Sequence, residues 1–304
     1  MDLLDPTPAP AERVFRRYEE IRNRLPSAHF PDTAIETLTL LEAVGDCDGI
    51  VLDAFGVLNV GDTPIDGAVA RMAQLRALGK RLCVLTNSAS HTRAEALARY
   101  QRLGFDFTRD EVVSSRDVAA ARLEDVAPGA TWAAIAAPGD SMADIPARVV
   151  DALEVAGSLE SADAILFLST AQWNGAWQDR LLAALERHPR PVVVANPDLV
   201  APREGGLSLE PGHYAHDLID RLELPVRFFG KPFGEAFADV ALAIGMAPAR
   251  LIMVGDTLHT DVLGGAAAGM KTVLVARHGL FAGHTVGDYI SRSGIVPNVI
   301  AAKT

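Results

Sequence analysis

The sequence has little that would bind it to a nucleic acid or a membrane. Its 28 Lys and Arg residues are outnumbered by 39 Asp and Glu residues, so its formal net charge is −11, and such a chain repels a phosphate backbone. It has no apolar run of about 18 residues that could cross a bilayer, and its first residues lack the basic tip and apolar core of a secretory signal. We therefore expect a cytoplasmic protein without nucleic-acid or membrane partners.

Cysteine is also scarce. Cys47 and Cys83 lie in or beside apolar segments without the spacing of metal ligands, which argues against a disulfide framework and a zinc site. What is present is an ordinary globular composition, 49% hydrophobic and 22% charged. The 304 residues exceed the usual size of a single core, so two domains, or one domain with a large insertion, are expected.

Alternating apolar and amphipathic segments predict an α/β fold with a parallel sheet. GIVLDAF (49–55) and RLCVLTN (81–87) are predicted strands, and AVARMAQLRALGK (68–80) between them is a predicted helix. Such a right-handed βαβ unit brings the carboxyl ends of both strands to one edge of the sheet. Asp53 and Thr86 are therefore expected to be neighbours.

The remaining segments predict two domains. Residues 1–92 and 213–304 are assigned to the core domain, and residues 93–212 to an inserted α/β cap domain. Residues 1–45 are predicted to form a helical leader, with helices in AERVFRRYEEIRNRL and IETLTLLEAVG. The leader contains no recognisable chemistry.

Four segments are predicted to meet at the carboxyl edge of the core sheet, where open α/β sheets bind ligands. They are VLDAFGVLN (51–59), LCVLTNS (82–88), FGKP (229–232) and VGDTLHTDVLGGAAAG (254–269). In order and strand context they resemble the four motifs of the haloacid-dehalogenase-like (HAD) superfamily. The insertion and ANPDLVAPREGG (195–206) resemble the large α/β cap of its NagD-like subgroup. The resemblance, over about residues 48–277, implies a doubly wound, Rossmann-like parallel-sheet core with an inserted α/β cap.

The resemblance also implies roles for individual residues in phosphoryl transfer, which requires a nucleophile, neutralised phosphate oxygens and a divalent cation. Asp53 would be the nucleophile that forms an aspartyl-phosphate. Thr86 and Asn87 would offer hydroxyl and amide donors to the phosphate, and Lys231 would hold nucleophile and phosphate together. Asn196 would contact the substrate.

A magnesium ion is the implied cofactor. By the resemblance its ligands would be Asp53, the backbone carbonyl of Phe55 and Asp256, with Asp261 acting through a water molecule. Hard oxygen ligands of this kind suit Mg²⁺. Asp261 could instead be only an acid near a helix N-terminus, where the helix dipole favours negative charge.

Phe55 departs from the phosphatase pattern. The superfamily's phosphatases have a second aspartate at this position, which protonates the leaving group, and such help is typically worth about 10²–10⁴ in rate. DAFGVL also resembles the first motif of the haloacid dehalogenases, which need no cation. An acyl phosphate, whose leaving group departs without a proton, would suit the site. His91 and His259 are considered as replacement acids, although a solvent-facing histidine without a catalytic role is the simpler interpretation of each.

The sequence as a whole favours a magnesium-dependent phosphohydrolase of a small phosphorylated metabolite, slow or restricted because of Phe55. One alternative is a catalytically impaired relative that binds a ligand or protein, and a further one is a hydrolase of carbon–halogen bonds. Residues 138–141 and 196–206 are candidate substrate contacts, but they specify no particular metabolite. The resemblance also allows a homodimer formed through the cap.

Overall fold

The computed structural model describes residues 10–203 and 206–304. Its strands are β1 Ile35–Thr39, β2 Gly49–Leu52, β3 Asn59–Val60, β4 Thr63–Pro64, β5 Arg81–Thr86, β6 Val112–Ser114, β7 Thr131–Ile135, β8 Arg148–Asp151, β9 Ala164–Phe167, β10 Val192–Val194, β11 Val200–Arg203, β12 Gly206–Leu209, β13 Val226–Phe228, β14 Leu251–Gly255, β15 Lys271–Val275 and β16 Val299–Lys303. Its helices are α1 Pro10–Glu20, α2 Leu40–Ala43, α3 Ala68–Ala77, α4 Arg93–Arg102, α5 Ser115–Ala120, α6 Leu123–Val126, α7 Ser158–Ser161, α8 Gly175–Arg187, α9 Pro211–Leu222, α10 Gly234–Ile244, α11 Leu263–Ala267 and α12 Val286–Ser293. A π-helical segment, Leu258–Val262, precedes α11.

Two parallel sheets organise the molecule. The larger has seven strands in the order β1-β16-β15-β14-β2-β5-β6, and the smaller has five in the order β13-β10-β9-β7-β8. Every neighbouring pair in both sheets is parallel. The predicted α/β fold, with a parallel-sheet core and a second α/β part, is confirmed.

The central strands are apolar on both faces because helices cover both sides of the sheet. All four residues of β2 and all five of β14 are buried. On one side of the larger sheet, Ile50 and Leu52 belong to an apolar cluster that contains residues of α3. On the other side Val51 joins an apolar cluster that also contains Trp132 and Leu166 of the smaller sheet. The two sheets therefore share one continuous apolar cluster.

Sheet membership differs from the expected domain boundaries. β6 lies beyond the expected boundary at 92/93, yet it pairs with β5 in the larger sheet. β13 follows the expected return at 212/213, yet it pairs with β10 in the smaller sheet. The predicted boundary at 212/213 places β13 in the core domain. A short apolar strand fits either sheet, and the strand with which it pairs decides to which sheet it belongs.

The second predicted leader helix is wrong. Residues 35–39 form β1, which pairs in parallel with β16 at the edge of the larger sheet, and helix is confined to α2. Ile35 and Leu38 are 67% and 72% exposed. Their spacing resembles the buried face of a helix, but neither side chain is buried. The alternating β-branched residues of IETLT suit an edge strand. The first leader helix is present as α1.

Within the described residues, no helix is long and apolar enough to cross a membrane.

The buried guanidinium of Arg116 ties the two sheets together. Arg116, on α5 just after β6, is fully buried and lies 2.5 Å from Asp140 and 2.7 Å from Asp144. Both acids belong to the segment that follows β7 of the smaller sheet. This segment therefore depends on a charge supplied from the larger sheet.

We expect Arg116→Met to lower the free energy of unfolding by about 3 kcal/mol, because it leaves the buried carboxylate of Asp140 and the partly exposed one of Asp144 without their cation. Denaturant unfolding followed by circular dichroism would measure the loss. Arg250→Met is the matched control, since Arg250 forms an exposed pair with Asp48 and exposed pairs contribute little. Equal losses in the two variants would contradict a structural role for the buried cluster.

Candidate active site

Adjacent strands of the larger sheet end at the site. Asp53 follows β2, Thr86 ends β5 and Asp256 follows β14, and these three strands are neighbours in the sheet. The Asp53 N–H donates to the Val254 carbonyl at 2.8 Å, so the sheet bonding continues to the point where the acid begins. Asp53, Thr86 and Asp256 line one cavity, as expected from the βαβ geometry.

Lys231 lies between two of the acids. Its Nζ is 2.6 Å from Asp53 Oδ1 and 2.7 Å from Asp261 Oδ1. The lysine side chain is only 2% exposed. Burial opposes its charge, but Asp261, Asp53 and then Asp198 outweigh burial and raise the pKa of Lys231. The lysine is therefore fixed in its charged form.

Glycines make room for the acids. A Cβ at Gly279 would lie 1.6 Å from Asp256 Oδ2, and one at Gly255 would lie 2.1 Å from Asp261 Cγ. The space left free lets the Leu280 N–H donate to Asp256 Oδ2 at 2.9 Å. These contacts require glycine at both positions, a requirement that the sequence alone does not reveal.

The three acids fit a divalent cation. Asp53, Asp256 and Asp261 can each offer an oxygen within 4.8 Å of the other two, and one lysine cannot neutralise three carboxylates. Burial raises the pKa of Asp53 to about 6 and, helped by repulsion from Asp53 and Asp261, raises that of Asp256 well above its ordinary value. Such an excess of buried negative charge is what a cation would relieve. The Phe55 carbonyl as a ligand stays a prediction.

The side chain of Asn87 forms hydrogen bonds within the protein. Its Oδ1 accepts from the Lys231 N–H at 2.7 Å, while its Nδ2 donates to the Lys231 carbonyl at 2.9 Å and to Asp198 Oδ1 at 2.8 Å. All of its side-chain hydrogen-bonding groups are therefore occupied in positioning Lys231 and Asp198. The expected donation from Asn87 to a phosphate stays a prediction. Thr86 Oγ1 lies at the cavity and accepts from the Ser88 N–H at 3.2 Å.

Asp198 lies within the candidate range 196–206, but no individual role was predicted for it from the sequence. It lies two residues after Asn196, whose Oδ1 accepts from the Asp198 N–H at 3.0 Å, and both line the cavity. Burial raises the pKa of Asp198 to about 7, against the pull of Lys231. The Asn-Pro-Asp triplet after β10 was the available clue, since it ends a strand as Asp53 does.

Phe55 takes part in the cavity wall with Arg99. The Arg99 guanidinium lies 5.5 Å from the centre of the Phe55 ring, and both residues line the cavity. A guanidinium stays protonated at any working pH, so it supplies charge without supplying a proton.

The two candidate histidines differ in position, and the role of His91 as a replacement acid stays a prediction. His91 lies at the cavity and is exposed. His259 is buried, stacked on Tyr18 at 4.8 Å and 2.5 Å from Glu19. It is not among the described residues lining the cavity, so as a replacement acid it is wrong.

The cavity has a volume of about 190 Å³. Part of its wall comes from the leader, through Pro10, Ala11, Val14 and Tyr18 of α1. Residues 138–141 are not among the described lining residues, and Asp140 instead pairs with Arg116. The sequence predicted no chemistry in the leader and a substrate contact at residues 138–141. The structure instead places the leader at the cavity and residues 138–141 away from its lining.

Two protein-family models match the chain. A haloacid dehalogenase-like hydrolase model matches residues 50–143, and a HAD-hydrolase-like model matches residues 228–301. Together they span the four motif segments. The leader lies before the first match.

Individual proteins are similar over most of the chain. Glycerol-3-phosphate phosphatase from Gallus gallus is 30% identical over 286 residues, which cover 87% of this chain and 92% of the relative. A p-nitrophenyl phosphatase from Archaeoglobus fulgidus shares the fold with a TM-score of 0.72 at 24% identity, covering 85% of this chain and 97% of its own. A glycerol phosphate phosphatase from Mycobacterium tuberculosis in complex with calcium has a TM-score of 0.69 at 25% identity, covering 86% and 74%.

We expect Asp198→Asn to stabilise the metal-free protein at pH 8 relative to wild type, more than at pH 4. With a folded pKa of about 7 against an ordinary 3.8, the folded state holds a proton that the unfolded state releases between these values. Stability is therefore lost as pH rises through that range, and the neutral amide removes the loss while still accepting from Asn87. Thermal unfolding in EDTA at both pH values measures it. An equal difference at the two pH values would contradict the raised pKa.

Proposed function

The chain belongs to the haloacid dehalogenase-like hydrolases, and from that membership we propose that it is a phosphohydrolase of small phosphorylated metabolites that uses Asp53 as its nucleophile and depends on Mg²⁺. The observation that carries the proposal is the charge cluster at the strand ends. Lys231 lies between Asp53 and Asp261, and Asp256 lies within reach of both acids. This arrangement brings together a nucleophile, the ammonium group of Lys231 and a cluster of carboxylate oxygens that could bind a metal ion.

The first step is attack on phosphorus. One carboxylate oxygen of Asp53 forms a bond to phosphorus, the bond from phosphorus to the leaving-group oxygen breaks, and its electron pair leaves with that oxygen. Asp53 Oδ1 already accepts from the Ala54 N–H at 2.7 Å and from Lys231, so Oδ2 is the oxygen we assign to the attack. Water then cleaves the aspartyl-phosphate, which releases phosphate and restores the carboxylate.

A bound Mg²⁺ would supply positive charge against the phosphate oxygens. The residues that would hold it are Asp53 and Asp256, with Asp261 fixed close by through its contact with Lys231 and through Oδ2, which accepts from the Thr257 N–H at 3.1 Å. Family phosphatases generally use a divalent metal. Mg²⁺ usually binds one or two carboxylates and keeps several waters, which fits a site with only a few protein oxygens.

Phe55 restricts the leaving group. At the position where an acid would protonate the departing oxygen, this chain has an aromatic ring with the Arg99 guanidinium beside it. The guanidinium can stabilise negative charge on that oxygen but cannot hand it a proton. Leaving groups that are already weak bases, such as the carboxylate of an acyl phosphate, should therefore react fastest.

The two alternatives predict different behaviour. Carbon–halogen hydrolysis requires no cation, so it gives no reason for three carboxylates to be buried together. A ligand-binding relative without turnover would retain metal affinity but release no phosphate. Phosphate release and its dependence on the metal therefore separate them.

We expect phosphate release from acyl phosphates and activated phosphate monoesters in Mg²⁺, none in EDTA, and a loss of at least about 10³-fold in Asp53→Asn. The amide keeps the size of the side chain but is a poor nucleophile. Colorimetric phosphate assays measure the rates, and circular dichroism checks the fold. Metal binding without phosphate release would favour the ligand-binding alternative, whereas halide release from 2-haloacids without metal would favour the dehalogenase.

We expect Phe55→Asp to raise the rate for substrates with strongly basic leaving groups by about 10²-fold, while changing acyl phosphate turnover little, because only the former need a proton. Phe55→Asn is the matched control, since it has the same shape as Asp but no acidic proton. Rates across a series of leaving groups measure the effect. The same gain in both variants would mean that removing the ring, rather than adding an acid, was responsible.

A further inference from the structure

The leader helix α1 presents one face to the active-site cavity. Ala11, Val14 and Tyr18 all line it, and their spacing of three and four residues places them along one side of a helix. All three are buried. This segment precedes the first family match at residue 50, so the wall it forms is an addition to the motif-bearing part of the chain.

The helix is fixed to the larger sheet's side of the site. Phe15 packs against Tyr289 with ring centres 5.0 Å apart, and both belong to the apolar cluster around Leu258 and Val262. Both terminal nitrogens of Arg292 donate hydrogen bonds to the Glu12 carboxylate, at 2.8 and 2.9 Å. Glu19 contacts His259, in the same π-helical segment as Asp261.

The leader is also fixed to the smaller sheet's side. Arg17 and Arg24 both pair with Asp220 of α9, the latter at 2.5 Å, and α9 packs on the smaller sheet through Ala215 and Leu218. The Leu199 N–H donates to the Tyr18 hydroxyl at 3.3 Å. Tyr18 is thus held from both sides, by His259 and by Leu199.

We propose that α1 is a fixed specificity wall, in which Tyr18 and Val14 restrict the active site to small phosphorylated compounds. The inference rests on the proposed function for the presence of a phosphate site. Ligand pockets for larger molecules usually measure about 300–1,000 Å³, whereas this cavity measures about 190 Å³. Because the wall is bound to both sides of the site, a bulky substituent cannot displace it without breaking ion pairs on one of them.

The test uses two phosphonates that cannot be hydrolysed, so binding is measured apart from turnover. Methylphosphonate represents a small substrate and 1-naphthylmethylphosphonate a bulky one, each titrated calorimetrically into the full chain with Mg²⁺. We expect wild type to prefer the small ligand. In Tyr18→Ala the ratio of affinities should shift by about 10-fold or more toward the bulky ligand, since removing a few carbon atoms from a pocket wall typically changes discrimination by that amount.

Three further variants separate specificity from folding. Tyr18→Phe keeps the ring and should leave the ratio unchanged, while Val14→Leu adds volume and should shift it toward the small ligand. Arg16→Ala, on the exposed face of the same helix, should change nothing. If Tyr18→Ala does not fold, Val14→Ala replaces it, with a smaller shift in the same direction.

The outcomes distinguish the two proposals. Binding of methylphosphonate with an unchanged ratio in the Tyr18 and Val14 variants would overturn the wall while leaving the phosphate site intact. Failure of wild type to bind either phosphonate, together with no phosphate release, would overturn the proposed function and the wall with it. A ratio that moves in opposite directions for Val14→Ala and Val14→Leu would support the wall.

Discussion

The buried ammonium group of Lys231 is the interaction on which the rest of the site depends. Asp53, Asp256 and Asp261 would carry three negative charges in a space that excludes most water, and the lysine offsets one of them. Without it, two carboxylates now within 2.7 Å of a cation would have to be protonated or move apart. The nearby geometry serves this charge balance, including the side chain of Asn87, which hydrogen-bonds to both the N–H and the carbonyl of Lys231.

The site lies between the carboxyl ends of both sheets. Asp53, Thr86 and Asp256 come from the ends of strands in the larger sheet, whereas Lys231 follows β13 and Asp198 follows β10 in the smaller one. The nucleophile and its countercharge therefore belong to different sheets. A movement of one sheet against the other that carried residue 231 with it would change the 2.6 Å distance between Asp53 and Lys231.

Most of the fold and the central charges of the site could be predicted from the sequence, because buried parallel strands have unmistakable apolar runs and their ends must meet at one edge. The features that could not be predicted depend on contacts between residues that are far apart in the sequence. Nothing local in residues 35–39 indicates that they pair with β16, and nothing in α1 indicates that Tyr18 reaches the cavity. Asn87 was placed correctly, but its role depends on the backbone of residue 231, which lies 144 positions away.

The pairing of β1 with β16 joins residues near opposite ends of the described chain. Ile35 lies beside Val299 and Thr39 beside Lys303, so this part of the sheet cannot form until residues 299–303 have been synthesised. Chains emerge from the ribosome N-terminus first and generally fold as they emerge. Strand β1 of the leader therefore stays unpaired while the strands that carry the acids assemble. Completion of the sheet beside the leader consequently follows the synthesis of β16, and a nascent chain that ends before β16 lacks the partner of β1 at this edge.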